Sequence, residues 1–449
     1  MTAHRTGDIE LEVVHAPVAR AHVPRRPAPP AAPWLFAAAM AASASVAVLG
    51  GLVLGFLAAT ETAFGENHWT EAVQAHGRLQ LVGWTAVFVA SLAFEFIVRL
   101  NQRGPLPFLP RLLVLCGLGT GALLEAVAQV WNDPLGFAWL PGAAITFAAS
   151  AGFATLIWRV RAAFPFRLDL QPVFFRIGAT WLAVAGAVSL LAVLRADDGV
   201  VRVGDAHLAV ELIARGFVLN TILGVALRAF PGHLGLEPLP VRRQANVMGI
   251  LNGALLAWAA GSGAFGLPDE AVVRSFANVA LAVGLVLFTI WMGVLSPLRN
   301  PAGGPNYRVL VPLAWLGLVA YALALAGTAV AEFDSDLGLY QDGAVRHIFL
   351  LGFMAPLMAA MAHIVLARFG TGRVRWEPLL TASFAGLMLA WPLRVLPVLF
   401  TNNPGTMGRS ILGTAAVIAA ASLAAMAVVA GRNALAIREL VKEINRSRA

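Results

Sequence analysis

Twelve mostly apolar stretches, each about 20 residues long, follow one another along this chain, and a run of that length is what crosses a bilayer as a helix. They fall at roughly 34–60, 74–99, 110–131, 139–161, 172–195, 206–230, 244–262, 271–296, 309–332, 343–369, 377–401 and 408–430. In hydrocarbon every backbone polar group needs an internal partner, so apolar runs of this length are predicted to be helices. Composition supports the reading. Of 449 residues 59% are apolar and only 12% charged, against about a quarter charged in soluble domains. Too little charge remains to cover a globular surface, which excludes a soluble enzyme and a disordered protein. The single cysteine, Cys116, excludes a disulfide scaffold and makes a cysteine-based metal cluster unexpected. The fold class is therefore all-α, a polytopic membrane bundle of about twelve transmembrane helices.

The connections are short, so the membrane domain, 34–430, is nearly the whole molecule. Residues 1–33 are rich in Pro and Ala and read as a disordered cytoplasmic tail, with no apolar core of the kind a cleavable signal peptide needs. Residues 431–449 read as a short amphipathic helix lying on the cytoplasmic surface. Basic residues give the orientation. With the N-terminus inside, 24 of the 32 Lys and Arg fall on the cytoplasmic side, while the opposite loops are acidic, as at Glu61, Glu66, Glu71, Asp197, Asp269 and Asp342. An even number of spans puts both termini inside, so charge and span count agree. The net charge of +8 serves orientation; no basic-aromatic nucleic-acid surface stands outside the membrane.

Three segments share a pattern. The first runs from His76 through Gly83-Trp84 to Arg99, the second from His207 through Gly216-Phe217 to Arg228, and the third from His347 through Gly352-Phe353 to Arg368. Each sets a histidine at the outer end of a span, a Gly-aromatic pair further in, and an arginine at the inner end. They fall on spans 2, 6 and 10, so the repeat unit is four helices, about 34–165, 166–300 and 305–430, in parallel repetition about the membrane normal.

Ionisable side chains inside spans are costly and mark functional candidates. His76 and His347 begin spans 2 and 10. On facing helices at one depth, two neutral imidazoles can clamp a haem iron, or else bond to nearby loops at the interface. Gly77 and Ala75 leave room beside His76 for a flat ring. Arg78 and Arg346 flank the histidines and suit either haem propionates or the outer headgroups. His207, Glu211 and Arg215 share one face of span 6, as a metal or proton site or as a structural ion pair. Arg394 lies within span 11 between Pro392 and Pro397 and needs an anionic partner: a propionate, Glu125 or Glu211. His363 is 16 residues from His347, about 24 Å along a helix, so those two cannot share a metal. His68, in the outer loop, is an auxiliary ligand or a solvated residue.

The run His76-Gly77-Arg78-Leu79-Gln80-Leu81-Val82-Gly83-Trp84 resembles the second helix of haem-copper oxidase relatives. The stretch from Arg346-His347 to Arg373, with the Leu393-Arg394-Val395 centre of span 11, is similar to the NnrS family. The layout is shared across the whole membrane region and the motifs across about three helices. The resemblance implies a haem-copper-oxidase-like bundle in the inner membrane, carrying haem b and perhaps copper and linked to nitric oxide metabolism or nitrosative stress. Carried over residue by residue, it implies His76 and His347 as haem ligands, with Arg78, Arg346 and Arg394 at the propionates. It also implies a membrane or periplasmic electron-transfer partner. Two departures count against a proton-pumping oxygen reductase: Arg78 stands where many relatives carry a second histidine, and span 7 has no histidine for the oxidase copper. A copper site from His76, His207 and His347 stays open if their outer ends converge. The rival reading is a membrane transporter or metal-uptake protein without a redox cofactor.

Overall fold

The computed structural model describes residues 32–52, 55–56, 69–101, 103–130, 137–161, 169–196, 200–262, 270–299, 306–334, 339–401 and 404–447. The N-terminal tail up to residue 31, His68 and most of the acidic outer-loop residues lie outside them. Among the described residues the chain is a bundle of twelve helices and no β-sheet. They are α1 (Leu35–Val46, continued as a π-helical turn Ala47–Leu52), α2 (Trp69–Arg99), α3 (Phe108–Val130), α4 (Trp139–Arg159), α5 (Gln171–Leu194) and α6 (Val203–Gly235). The second half holds α7 (Val241–Ala260), α8 (Glu270–Met292), α9 (Tyr307–Asp334), α10 (Tyr340–Thr371), α11 (Glu377–Leu399) and α12 (Gly405–Arg446). Each matches one of the apolar runs in order.

Ten of the twelve are long and apolar enough to cross a membrane. The other two are α1, whose described part is short, and α7, which carries Arg242, Arg243, Gln244, Asn246 and Asn252 along 20 residues.

Burial separates the helices into two kinds. The most apolar windows of α2, α6 and α10 are 100%, 83% and 89% buried, whereas those of the other seven spanning helices are 33–50% buried. The second helix of each four-helix unit is thus central, and the others surround it with one face to lipid. A helix that is apolar all round belongs in a core, and the half of α2 from Val87 to Val98 is buried at every residue and apolar except at Ser91 and Glu95. The ring closes where α1 packs against α12.

All three central helices break into π-helix at the same register. The segments are Leu79–Ala86, Leu212–Val218 and Ile348–Met354, and in each the fifth residue is the glycine of the Gly-aromatic pair: Gly83, Gly216 and Gly352. A neighbour packs closely on each glycine. An added Cβ would stand 2.9 Å from Val46 Cγ1 at Gly83, 2.7 Å from Trp181 at Gly216 and 3.2 Å from the Trp391 ring at Gly352. The register corrects the sequence alignment of the repeats. The residues immediately before the π turns are Arg78, Glu211 and His347. The three outer histidines are therefore not equivalent positions; the glycine is what repeats.

The C-terminal end differs from expectation. No break occurs near residue 430: α12 runs unbroken for 42 residues, about 63 Å at 1.5 Å per residue. Its inner portion is held upright by packing. Asn433 accepts a hydrogen bond from Arg375 N at 3.0 Å and donates to Arg375 O at 3.2 Å, and Ile437 is buried.

Candidate functional site

The N-terminal halves of α2 and α10 line a cavity of about 240 Å³. His76 and His347 both line it. Their rings are nearly parallel, 15° apart, with centres 6.4 Å from one another. Two imidazole nitrogens sharing one metal stand about 4 Å apart, at about 2 Å per bond, and about 1 Å more from each nitrogen to its ring centre puts the centres about 6 Å apart. The observed spacing matches that sum.

Local structure fixes both rings. His347 Nδ1 lies 2.6 Å from the Gly343 carbonyl one turn back. A carbonyl only accepts, so Nδ1 carries the proton, which leaves Nε2 of the neutral ring with its lone pair, the usual arrangement for a ligand histidine. His76 is crossed by the chain at Gly55, where an added Cβ would stand 2.8 Å from the imidazole Cε1. At Gly77, which also lines the cavity, an added Cβ would meet nothing within 4 Å. Trp69 and Tyr340, at the starts of α2 and α10, also line the cavity, with their rings 6.4 Å apart. The opposite wall is one face of α12, with Leu412, Ala415, Ala419 and Leu423 spaced at helical turns.

Arg394 and Arg346 line the same cavity. Arg394 Nη1 is buried and has no hydrogen-bond partner, and no carboxylate pairs with this side chain among the described residues. Both carboxylates considered for it are engaged elsewhere. Glu125, fully buried, pairs with Arg78 Nε at 3.1 Å and accepts from Thr146 Oγ1 at 2.8 Å. Glu211 belongs to the α6 cluster. Arg346 pairs with Asp342 one turn back, and its Nε stands 3.8 Å from Glu211.

Two expected site residues stand apart. Arg78 does not line the cavity; besides Glu125 it donates to Ser189 Oγ at 2.8 Å, which ties α2 to α3 and α5. His207 is likewise absent from the cavity wall. Its Nε2 lies 3.6 Å from Glu211 and 3.7 Å from Asp342, with its ring edge-on to Trp258. Among the described residues no group of three or more His, Cys, Asp or Glu is gathered as for a metal ion, so the three-histidine convergence is not seen there. Around Glu211 every charge is answered: Arg215 pairs with it, donates to Asn278 Oδ1 at 2.8 Å and covers the Trp258 ring at 5.2 Å. His363 sits at the inner end, between Ala359 O at 3.0 Å and Thr381 Oγ1 at 3.2 Å, as a structural tie from α10 to α11.

Sequence reasoning missed Trp69, Tyr340 and the α12 alanines as cavity walls. The Asp342–Arg346 pair was available to it from the i, i+4 spacing. Ser189 beside Arg78 had no sequence signal, since 111 residues separate them.

No family model matches this sequence, and no curated protein matches it. Solved structures do. A heme-copper terminal oxidase dimer determined by cryo-EM is similar over 90% of this chain and 84% of that one, with a TM-score of 0.68 at 12% sequence identity. That likeness shows the fold: a haem-copper-oxidase-like helical bundle, and with it a multi-pass membrane protein.

Proposed function

We propose that this chain binds one haem b between His76 and His347, in an NnrS-like inner-membrane protein linked to nitric oxide metabolism or nitrosative-stress tolerance. The observation that carries the reading is the near-parallel imidazole pair at 6.4 Å across a cavity. Arg394 supports it, because its buried Nη1 has no hydrogen-bond partner and no carboxylate among the described residues pairs with it. Arg346 stands on the same wall as a second donor. Arg78 is left out of this set, its charge being met by Glu125.

Held between His76 and His347, a haem would supply one-electron transfer. The chain's own residues do the rest. Gly343 holds the His347 ring in one tautomer, Gly55 limits the tilt of His76, and Trp69 and Tyr340 add aromatic wall to the cavity. Electrons would come from a membrane or periplasmic partner at the outer face. The nitric oxide link and the topology with both termini inside rest on the motif resemblance and the arginine distribution.

The test is a reduced-minus-oxidised spectrum of the purified chain with iron and copper analysis. A b-type signal with one iron per chain is expected, lost in His76→Ala and in His347→Ala and kept in His363→Ala. A blank spectrum after haem-replete expression overturns the reading. Copper without iron, lost with His207→Ala, would favour a copper site. For the physiological link, a deletion strain should be more sensitive to a nitric oxide donor and recover with the wild-type chain but not with His347→Ala.

A further inference from the structure

A second cavity, about 50 Å³, lies among the three central helices in their inner halves. From α2 it is lined by Phe88, Val89 and Leu92, from α6 by Thr221, Ile222 and Val225, and from α10 by Leu357, Met358 and Met361. In every case these residues stand five, six and nine places beyond the π-turn glycine, Gly83, Gly216 or Gly352. The cavity therefore takes the same three positions from each central helix and sits near the pseudo-threefold axis, with Ala93, Phe96 and Phe230 completing its wall. Such a void follows from the symmetry. Three similar helices approach one axis at one register, and their side chains leave a small space between them.

Its chemistry is uniform. Thr221 is the only lining residue with a hydrogen-bonding side chain, and its hydroxyl proton is already given to the Phe217 carbonyl at 2.8 Å. A water molecule needs roughly 10–15 Å³ and two to four polar partners. The space suffices for water and the partners do not. All but Ile222 and Val225 of the lining residues are buried, and the pocket is open on the side of those two. An apolar cavity of roughly 150 Å³ stays dry and binds benzene or xenon, and this smaller space suits only the smaller kind of guest. The surrounding bilayer supplies apolar solutes at higher concentration than water does, since transfer from water to hydrocarbon favours them.

We propose that this axial cavity binds one small apolar molecule, of the class of xenon and the diatomic gases. The site is separate from the His76–His347 cavity and does not depend on what that cavity holds. Xenon is the probe. The structure of the full chain in lipid, determined after xenon pressurisation, should show one xenon on the axis beside Leu92, Val225 and Met361. Val225→Phe fills the space from α6 and Leu92→Phe fills it from α2. Either variant, if folded by its thermal unfolding midpoint, should lose the axial xenon. An ordered water or a lipid chain in the cavity, xenon bound only elsewhere, or xenon kept at full occupancy in a filled variant would overturn the proposal.

Discussion

The clefts on the two sides of Arg346 answer the same problem in opposite ways. On the α6 side, Arg215 and Arg346 face Glu211 and Asp342, two charges against two, with Asn278, His207 and Trp258 packed around them. That cleft closes on itself. On the α12 side, Arg394 and two histidines face an alanine-lined space and no carboxylate. Both clefts sit at the outer end of a π turn of equal register, where π-bulges often accompany function. The position before the turn decides the outcome: Glu211 in one unit supplies an internal anion, and His347 in another supplies an imidazole facing the cavity. A third variant, Arg78 with Glu125, again pairs internally. Of the three units, only the one carrying histidine before the turn is left open.

The largest break of this contrast is at Glu211. Glu211→Ala leaves Arg215 buried without its counter-charge, and removing one partner of a buried pair costs about 3–5 kcal/mol. A lowered thermal unfolding midpoint in detergent is the measurement, and an unchanged midpoint would mean that the cluster carries no such weight. Arg78→Ala should cost a similar amount, about 3–5 kcal/mol, by stranding Glu125; the double replacement Arg78→Met with Glu125→Leu should recover most of it, because a paired removal leaves no orphan charge. A smaller effect is expected at Gly216→Ala, where the new Cβ meets Trp181 at 2.7 Å; overpacking of that kind costs about 1–3 kcal/mol. Smallest of all is Arg394→Met measured without cofactor. No ion pair is broken, so stability should change by less than about 1 kcal/mol or rise. The same variant should retain less haem after purification, a split between stability and cofactor content that a structural arginine would not show.

Much of the fold was legible because hydrocarbon allows so few solutions. Runs of about 20 apolar residues had to be helices, and twelve were found in order. The pairing of His76 with His347 was legible too, since both stand at the outer starts of homologous spans. What misled was the repeat register. The sequence shows a histidine, a Gly-aromatic pair and an arginine in each unit, and the packing shows that of the histidine and the glycine only the glycine holds one register. The α12 extension was misread for a related reason: Arg432, Arg438, Lys442 and Arg446 look like a surface helix until Asn433 and Ile437 are seen to be buried against the α10–α11 connection.

The sequence by itself determined the membrane class, the helix order, the fourfold grouping and the short roster of costly polar residues, because each follows from a solvation cost that acts residue by residue. Only the tertiary structure decided which arginine faces which acid. Arg78 and Glu125, or Arg346 and Glu211, are far apart in the chain, and their attraction depends on a few ångströms of helix packing. That packing also decided where space was left over: beside two parallel imidazoles, and on the axis where three equivalent helices meet.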